Sequence, residues 1–222
     1  MTERTIALIP AYNEAVRLAA VVTKARPLVS EVVVIDDGST DDTAAVARGV
    51  GATVLRNAHN RGKGAAIATA LEFFGKSDAE FAVFLDADGQ HDAAEIPRFI
   101  ETAQATGAVI VVGSRMRDTV CMPLMRRLAN WFTTWMTARL ARQRIPDSQC
   151  GFRLLRRTVL VDLHLTTTHF ETETEMLIQA GRAGHKLTSV PIRTIYQQGR
   201  HSRIRPCSDT VRFIKLVARH WR

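Results

Sequence analysis

Five short polar clusters carry residue types that can grip a charged ligand: Pro10-Ala11-Tyr12-Asn13-Glu14, Asp36-Asp37-Gly38-Ser39, Asn60-Arg61-Gly62-Lys63-Gly64, Asp86-Ala87-Asp88-Gly89-Gln90 and Gly113-Ser114-Arg115. The fourth says most. In Asp86-x-Asp88-x-Gln90, oxygen-bearing side chains recur at every second residue directly after the apolar run FAVFL. Alternation at a strand end sends such side chains to one side. Hard divalent cations take oxygen ligands and complete their shell with water and substrate phosphates. A turn explains the same residues differently, with Asp88-Gly89 as turn formers and Asp92 as a helix cap. The position behind a buried strand favours the metal reading. Asp36 and Asp37 sit at another strand end, where an acid can accept hydrogen bonds from a nucleobase or ribose. Capping accounts for Ser39, Thr40 and Asp41, but leaves Asp37 without a task. The glycine-rich loop at 60–64 lacks the GxxxxGK[ST] spacing, and no GxGxxG follows the first strand, which excludes Walker-type and dinucleotide-binding sites. Its glycines instead permit close backbone approach to a ligand or a neighbouring strand.

Positioning these clusters requires a regular scaffold, and the apolar pattern supplies one. Thr5–Ile9, Glu31–Ile35, Ala52–Leu55, Phe81–Leu85 and Val109–Val112 are short, continuously apolar runs, as strands buried on both faces should be. Between them the spacing predicts helices over 14–27, 41–49, 63–75 and 93–105. Such alternation calls for an α/β fold, a mostly parallel central sheet flanked by helices. Ligands bind such sheets outside the carboxyl ends of the strands, and all five clusters lie there. Past residue 114 the rhythm changes. Pro123 opens a helix with a stripe of Leu124, Leu128, Trp131, Phe132, Trp135, Met136 and Leu140. Further elements are a helix over Glu173–Ala183, a strand near Leu187–Ile195 and a last helix near Ser208–Arg219. No Gly/Ser/Pro linker or repeat divides the chain, so residues 1–222 read as a single domain.

Composition narrows the function classes. The 222 residues are 46% hydrophobic and 23% charged, enough to bury a core without disulfides and too apolar for a disordered chain. No apolar run reaches the roughly 18 residues of a membrane span, and MTERTIALIP does not read as a signal peptide. Three scattered cysteines (Cys121, Cys150, Cys207) fit ordinary buried thiols in a reducing, cytoplasmic setting. The seven histidines form no HxxxH or HExxH pattern; His91, beside Gln90, reads as a turn residue before a metal neighbour. The net charge of +8 is uneven: residues 115–144 carry +6 and 193–222 carry +7, leaving −5 elsewhere. An acidic half joined to a basic half suggests an anionic partner.

IPAYNE, VVVIDDGSTDDT, NRGKGAA and FLDADGQHD, in this order, resemble the family 2 glycosyltransferases of GT-A fold. DSQCGFR at 147–153, FETETEML and VPI resemble the branch with dolichyl-phosphate mannosyltransferases and bacterial polyprenyl-phosphate glycosyltransferases. The resemblance implies a metal-dependent, inverting transfer of a sugar from a UDP- or GDP-linked donor to a polyprenyl- or dolichyl-phosphate. It assigns the donor to Pro10, Ala11, Tyr12, Asn13, Glu14, Asp37, Lys63 and Asp86, with residues 1–115 as the donor half. Mg²⁺ or Mn²⁺ would be held by Asp86, Asp88 and Gln90; Asp88, Arg115 and Asp147 would be catalytic, and Gln149 lies with Asp147 in the acceptor-side motif. Residues 116–222 form the basic acceptor-side half.

An anionic lipid-phosphate acceptor needs cations rather than a base, and Arg115, Arg126, Arg127, Arg203 and Arg205 are candidates. A hydroxyl acceptor on a saccharide or lipid would need a base, for which Asp147 comes first and Glu173 second. The Trp131/Trp135 stripe reads as core, with an anionic bilayer as the second reading because of Arg126, Arg127, Arg139 and Arg142. The C-terminal helix, with Phe213, Ile214, Leu216, Val217 and Trp221 among Arg212, Lys215, Arg219 and Arg222, is similarly amphipathic. No membrane-spanning tail follows residue 222, so membrane contact is expected to be peripheral, at the inner face or through a membrane-protein partner. A sugar-1-phosphate nucleotidyltransferase would carry a Gly- and basic-rich loop where IPAYNE stands. A non-catalytic nucleic-acid-binding module would not tolerate the acids of the cleft.

Overall fold

Seven strands meet in one sheet: β1 (Thr5–Ala11), β2 (Glu31–Asp36), β3 (Thr53–Arg56), β4 (Phe81–Phe84), β5 (Ile110–Ser114), β6 (Arg153–Arg156) and β7 (Leu187–Pro191). The structure, a computed structural model, describes residues 4–115, 124–193, 195 and 206–221. The strand order is β3-β2-β1-β4-β6-β5-β7. All neighbours pair in parallel except β6, which runs antiparallel to both β4 and β5. Leu8 of β1 stands opposite Val33 on one side and Phe84 on the other, so the central strands are buried all round. This is the continuous apolar pattern that parallel sheets require. At the sheet's edge β3 is only partly covered, since it has one neighbour instead of two.

Helices α1 (Ala15–Ala25), α2 (Thr43–Gly49), α3 (Lys63–Lys76) and α4 (Ile96–Thr106) fill the crossovers between the parallel strands. A single 3₁₀ turn at Arg26–Leu28, set by Pro27, replaces the predicted end of α1. Another at Ala93–Glu95 precedes α4, and Asp92 caps it by accepting the Ala94 N–H at 3.2 Å. At α2 the N-cap position is Asp42, which makes no side-chain capping bond; Asp41, one residue earlier, accepts the Thr43 and Ala15 N–H groups at 3.0 and 3.2 Å. Phe99 of α4 stacks on Phe152 with centroids 4.2 Å apart, anchoring that helix to the sheet.

Two features were not legible locally. Strand β6 is bracketed by arginines and shows no apolar alternation, yet it pairs with β4 some 70 residues earlier in the chain. The second is α5 (Leu124–Ala141), which meets α6 (Glu171–Arg182) through small residues. Thr137 and Ala141 are fully buried, and a Cβ on Gly181 would collide with the Ala141 carbonyl. Leu140, Ile178 of α6 and Leu216 of α7 (Pro206–His220) complete this contact. The core reading of the aromatic stripe is therefore corrected: Leu128, Trp131, Phe132 and Trp135 are 48–64% exposed, because close packing on α6 selects the small-residue face. Among the described residues no helix is long and apolar enough to cross a membrane.

The loop from Asn60 to Gly64 is pressed against the segment that enters α6. Added Cβ atoms at Gly62 or Gly64 would strike the Thr168 backbone, and at Gly64 also the Thr172 hydroxyl. The close approach that the glycines serve is thus to the chain before α6. Gly64→Ala should destabilise the protein by about 1–3 kcal/mol through overpacking, measured as a fall in the urea midpoint with the slope unchanged.

Candidate active site

The chain leaves β1 toward β2 and β3 on one side and reaches β4 on the other, so a crevice opens between the carboxyl ends of β1 and β4. Three loops are tied together at its β1 side. Asn13, at a φ of 51°, donates its N–H to Ser39 Oγ (2.9 Å) and accepts the Thr40 N–H on Oδ1 (2.8 Å). The Glu14 N–H reaches Thr43 Oγ1 at 2.9 Å, and its carboxylate, 6% exposed, faces Arg17 at 3.5 Å. Ala11 is buried in β1, while Pro10 and Tyr12 are part-exposed at the rim.

Asp37 has the structural task the sequence withheld. Its carboxylate accepts from Asn57 Nδ2 (2.8 Å), the Arg61 N–H (3.1 Å) and the Gly62 N–H (2.8 Å), holding the 57–62 loop in place. It thereby sets where Lys63 begins α3. Backbone donors converging on one carboxylate are a strong arrangement, since each hydrogen bond is charge-assisted.

Across the crevice, charges alternate. Lys63 Nζ lies 2.7 Å from Asp86 Oδ1 and 3.3 Å from Glu173 Oε2. Glu173 in turn faces Arg153 at 3.9 Å, a guanidinium that is 1% exposed and donates to the carbonyls of Cys150, Ser148 and Glu173 at 2.6–2.8 Å. Burial would raise the Asp86 carboxyl, but the Lys63 ammonium overrides it and holds Asp86 well below the usual carboxylate range. Burial likewise pulls against the Lys63 charge, and Asp86 and Glu173 more than offset it. Gly151 is required here because a Cβ would press into the Asp86 carboxylate. Arg153 and Glu175 were missed as site residues. Glu175, 1% exposed, accepts the N–H and hydroxyl groups of Thr166 and Thr167 at 2.7–3.0 Å and fixes the loop that abuts Gly62. The signals for them were the runs that the sequence already singled out, DSQCGFR ending in Arg153 and the acid-rich FETETEML holding Glu175.

Asp88 turns back on its own loop, Oδ1 accepting the Gln90 N–H at 2.9 Å, so the turn reading holds. Does a divalent ion still fit? His91 Nδ1 is buried without a hydrogen-bond partner and lies 3.8 Å from Asp86 Oδ2, so that side of the carboxylate is not closed by a protein donor. Burial keeps the His91 imidazole below its ordinary pKa despite Asp86 and Asp88, so it adds no cation there. Among the described residues no three His, Cys, Asp or Glu side chains form a metal cage. The carboxylates of Asp86 and Asp88, with the amide oxygen of Gln90, are the hard oxygen donors that suit an ion drawing its other oxygens from a diphosphate and water.

Arg115, read from the sequence as a phosphate-facing cation, and Asp147, read as part of the acceptor-side motif, form one forked pair. Arg115 Nε and Nη2 lie 2.9 and 3.1 Å from the two Asp147 oxygens, and Gln149 N–H donates to Oδ1 at 3.0 Å. Asp147 is fully buried. Burial opposes the Arg115 charge, but Asp147 raises its pKa above the ordinary value. Both Asp147 oxygens are thus taken up by donors. Burial pushes the neighbouring Cys150 thiol up to about 12, so it stays an inert thiol. Of the acceptor-phosphate candidates, Arg127 is exposed on α5, whereas the Arg126 side chain, Arg203 and Arg205 lie outside the described residues.

Lys63→Met should lower stability at neutral pH, because charged Asp86, only partly exposed, would lose its cation. A depressed carboxyl stabilises above its ordinary pKa, and that contribution fades as pH falls toward the folded value. The gap between variant and wild type should therefore close as pH drops through the carboxylate range, read by urea unfolding at a series of pH values. A gap independent of pH would contradict the pairing.

Residues 6–163 match the sequence family described as Glycosyl transferase family 2. The chain is 30% identical over 209 residues to a polyprenol monophosphomannose synthase of Mycolicibacterium smegmatis, covering 86% of this chain and 77% of that protein. It is 29% identical over 214 residues to a UDP-N-acetylglucosamine–dolichyl-phosphate N-acetylglucosaminyltransferase of Methanococcus voltae, covering 86% and 85%. Among solved structures, glucosyl-3-phosphoglycerate synthase of Mycobacterium tuberculosis with Mn²⁺, UDP-glucose and phosphoglyceric acid superposes with a TM-score of 0.72. That match, at 20% identity, covers 99% of this chain and 80% of that one, and shows the shared GT-A fold.

Proposed function

The chain belongs to glycosyl transferase family 2 and is a glycosyltransferase, and from that premise we propose that it moves a sugar from a UDP- or GDP-linked donor to a polyprenyl- or dolichyl-phosphate. The observation that carries this reading is the cluster at the carboxyl ends of β1 and β4, where Asp86 pairs with Lys63, whose helix start is set by the loop that Asp37 holds. Residues 1–115 then serve the donor and 116–222 the acceptor, within one domain.

Pro10, Ala11, Tyr12, Asn13 and Glu14 would line the nucleoside pocket, with Asp37 shaping it through the 57–62 loop. Asp86, Asp88 and Gln90 would hold Mg²⁺ or Mn²⁺, which when bound supplies positive charge to the leaving diphosphate. Lys63 keeps Asp86 ionised and adds its own charge next to it. Arg115, oriented by Asp147, would add a further cation for the phosphates. Preorganised cations of this kind favour the transition state because leaving-group charge develops where they already point. A lipid phosphate is itself an anionic nucleophile. Asp147, committed to Arg115, therefore enters as a positioning group and no protein base is needed. Relatives named for dolichyl-phosphate and polyprenol substrates support that acceptor class. The enzyme would work in the cytoplasm, peripheral to the inner membrane face, where such lipids present their phosphates, with or without a membrane-protein partner. Nucleic acid is not a partner in this reading, since the crevice is lined by carboxylates.

Calorimetric titration of UDP, GDP and their sugar conjugates, with and without Mn²⁺, tests it. One nucleotide should bind in a metal-dependent way, and Asp88→Ala should weaken it at least about tenfold. Absence of binding by every nucleotide to the folded protein would overturn the assignment.

A further inference from the structure

Lys63 sits on two carboxylates at once, and Asp86 alone of the two belongs to the oxygen set assigned to the metal. Its Nζ lies 2.7 Å from Asp86 Oδ1 and 3.3 Å from Glu173 Oε2. The Asp86 side chain is 26% exposed and that of Glu173 11%, so an incoming ion meets Asp86 more readily. Glu173 is set deeper. Arg153 faces its carboxylate at 3.9 Å and donates to its backbone carbonyl at 2.6 Å, which fixes it on α6.

An ammonium and a divalent cation repel each other strongly when they share one carboxylate in a partly buried place. One of them must give way. The backbone of Lys63 cannot, because the Gly62 N–H is held by Asp37 at 2.8 Å and Gly64 is pressed against the Thr168 backbone. Its side chain can, since a flexible four-carbon stem lets Nζ swing about a fixed Cα. From this geometry we propose that Lys63 exchanges partners: as a divalent ion takes Asp86, Lys63 swings wholly onto Glu173, which is the positioning residue for that exchange. The inference rests on the metal-dependent reading above and gives Glu173 a task other than that of a base.

Both arrangements leave every charge compensated. Before the exchange Lys63 serves Asp86 and Glu173 together; afterwards the ion serves Asp86, and Lys63 serves Glu173 alone. A largely buried charge without a partner would be costly at either stage, and the second carboxylate removes that obstacle. Phe170, with its ring centroid 6.0 Å from Nζ, borders the same space and adds a cation-attracting face.

Mn²⁺ alone, without nucleotide or acceptor, tests the exchange by electron paramagnetic resonance of the free ion. Lys63→Met removes the competitor and should tighten Mn²⁺ binding by about tenfold or more. Lys63→Gln, which keeps a polar end without the charge, should give the same result where the methionine variant does not fold. Glu173→Gln leaves Lys63 with Asp86 alone and should weaken binding by about tenfold. In the Lys63→Met background, Glu173→Gln should change the affinity by no more than about twofold, since no lysine is left to receive. That last comparison separates exchange from plain charge. A through-space or structural effect of Glu173 would weaken binding equally in both backgrounds, and that result overturns the proposal. So does a Mn²⁺ affinity that the folded Lys63 variants leave unchanged or lower. Titration of UDP and GDP with Mn²⁺ on the same wild-type protein keeps the two readings apart. Nucleotide binding without the expected cycle overturns the exchange alone, whereas wild type that binds neither nucleotide nor Mn²⁺ overturns the metal-dependent transfer.

Discussion

Lys63 is held between two carboxylates contributed by distant parts of the chain, Asp86 after β4 and Glu173 on α6. A charge in a largely buried place is tolerable only where opposite charges and hydrogen bonds compensate it. That condition propagates. Glu173 is compensated in turn by Arg153, and Arg153 by three carbonyls of the segments around β6 and α6. The alternating series joins the ends of β4 and β6 to α3 and α6, so the acceptor-side elements cannot shift without unpairing a charge beside the donor crevice. Much of the irregular backbone nearby is explained by it. Gly151 is bare so that the chain can pass Asp86, and Gly62 and Gly64 are bare so that α3 can start against the segment entering α6.

Two carboxylates beyond that series do comparable work on loops. Asp37 gathers the donors of Asn57, Arg61 and Gly62, and Glu175 gathers those of Thr166 and Thr167. One fixes the loop on the α3 side, the other fixes the loop it abuts. The forked Arg115–Asp147 pair performs the same service on the far wall. An electrostatic catalyst gains most from groups that need no rearrangement as charge develops. Buried, multiply hydrogen-bonded pairs meet that need. The acceptor that best matches such a site is one that arrives already charged.

The aromatic stripe of α5 shows how packing can reverse a reading of periodicity. Leu128, Trp131, Phe132 and Trp135 recur as a core stripe should, but the helix also carries Thr137 and Ala141 on a different side. Small residues allow α5 to approach α6 at Gly181, and that close contact took the inner position. The large apolar groups were left facing outward. A hydrophobic period identifies that a helix has a sticky face; whether the neighbour is protein or solvent depends on what the rest of the chain brings to it.

From the sequence alone, the strand–helix alternation, the parallel sheet and the gathering of polar clusters at one sheet edge could be read, because each depends on patterns within a few residues. The oxygen-bearing run Asp86-x-Asp88-x-Gln90 was visible for the same reason. Tertiary structure alone decided what those residues touch. It inserted β6 between β4 and β5, joined Lys63 to Glu173 across more than a hundred residues, locked Asp147 onto Arg115 and turned the tryptophans outward. Each of these is a contact between segments far apart in the chain, chosen by the cost of burying charge and by which surfaces fit closely. No local spacing encodes either, since the partner's identity is absent from the neighbouring residues.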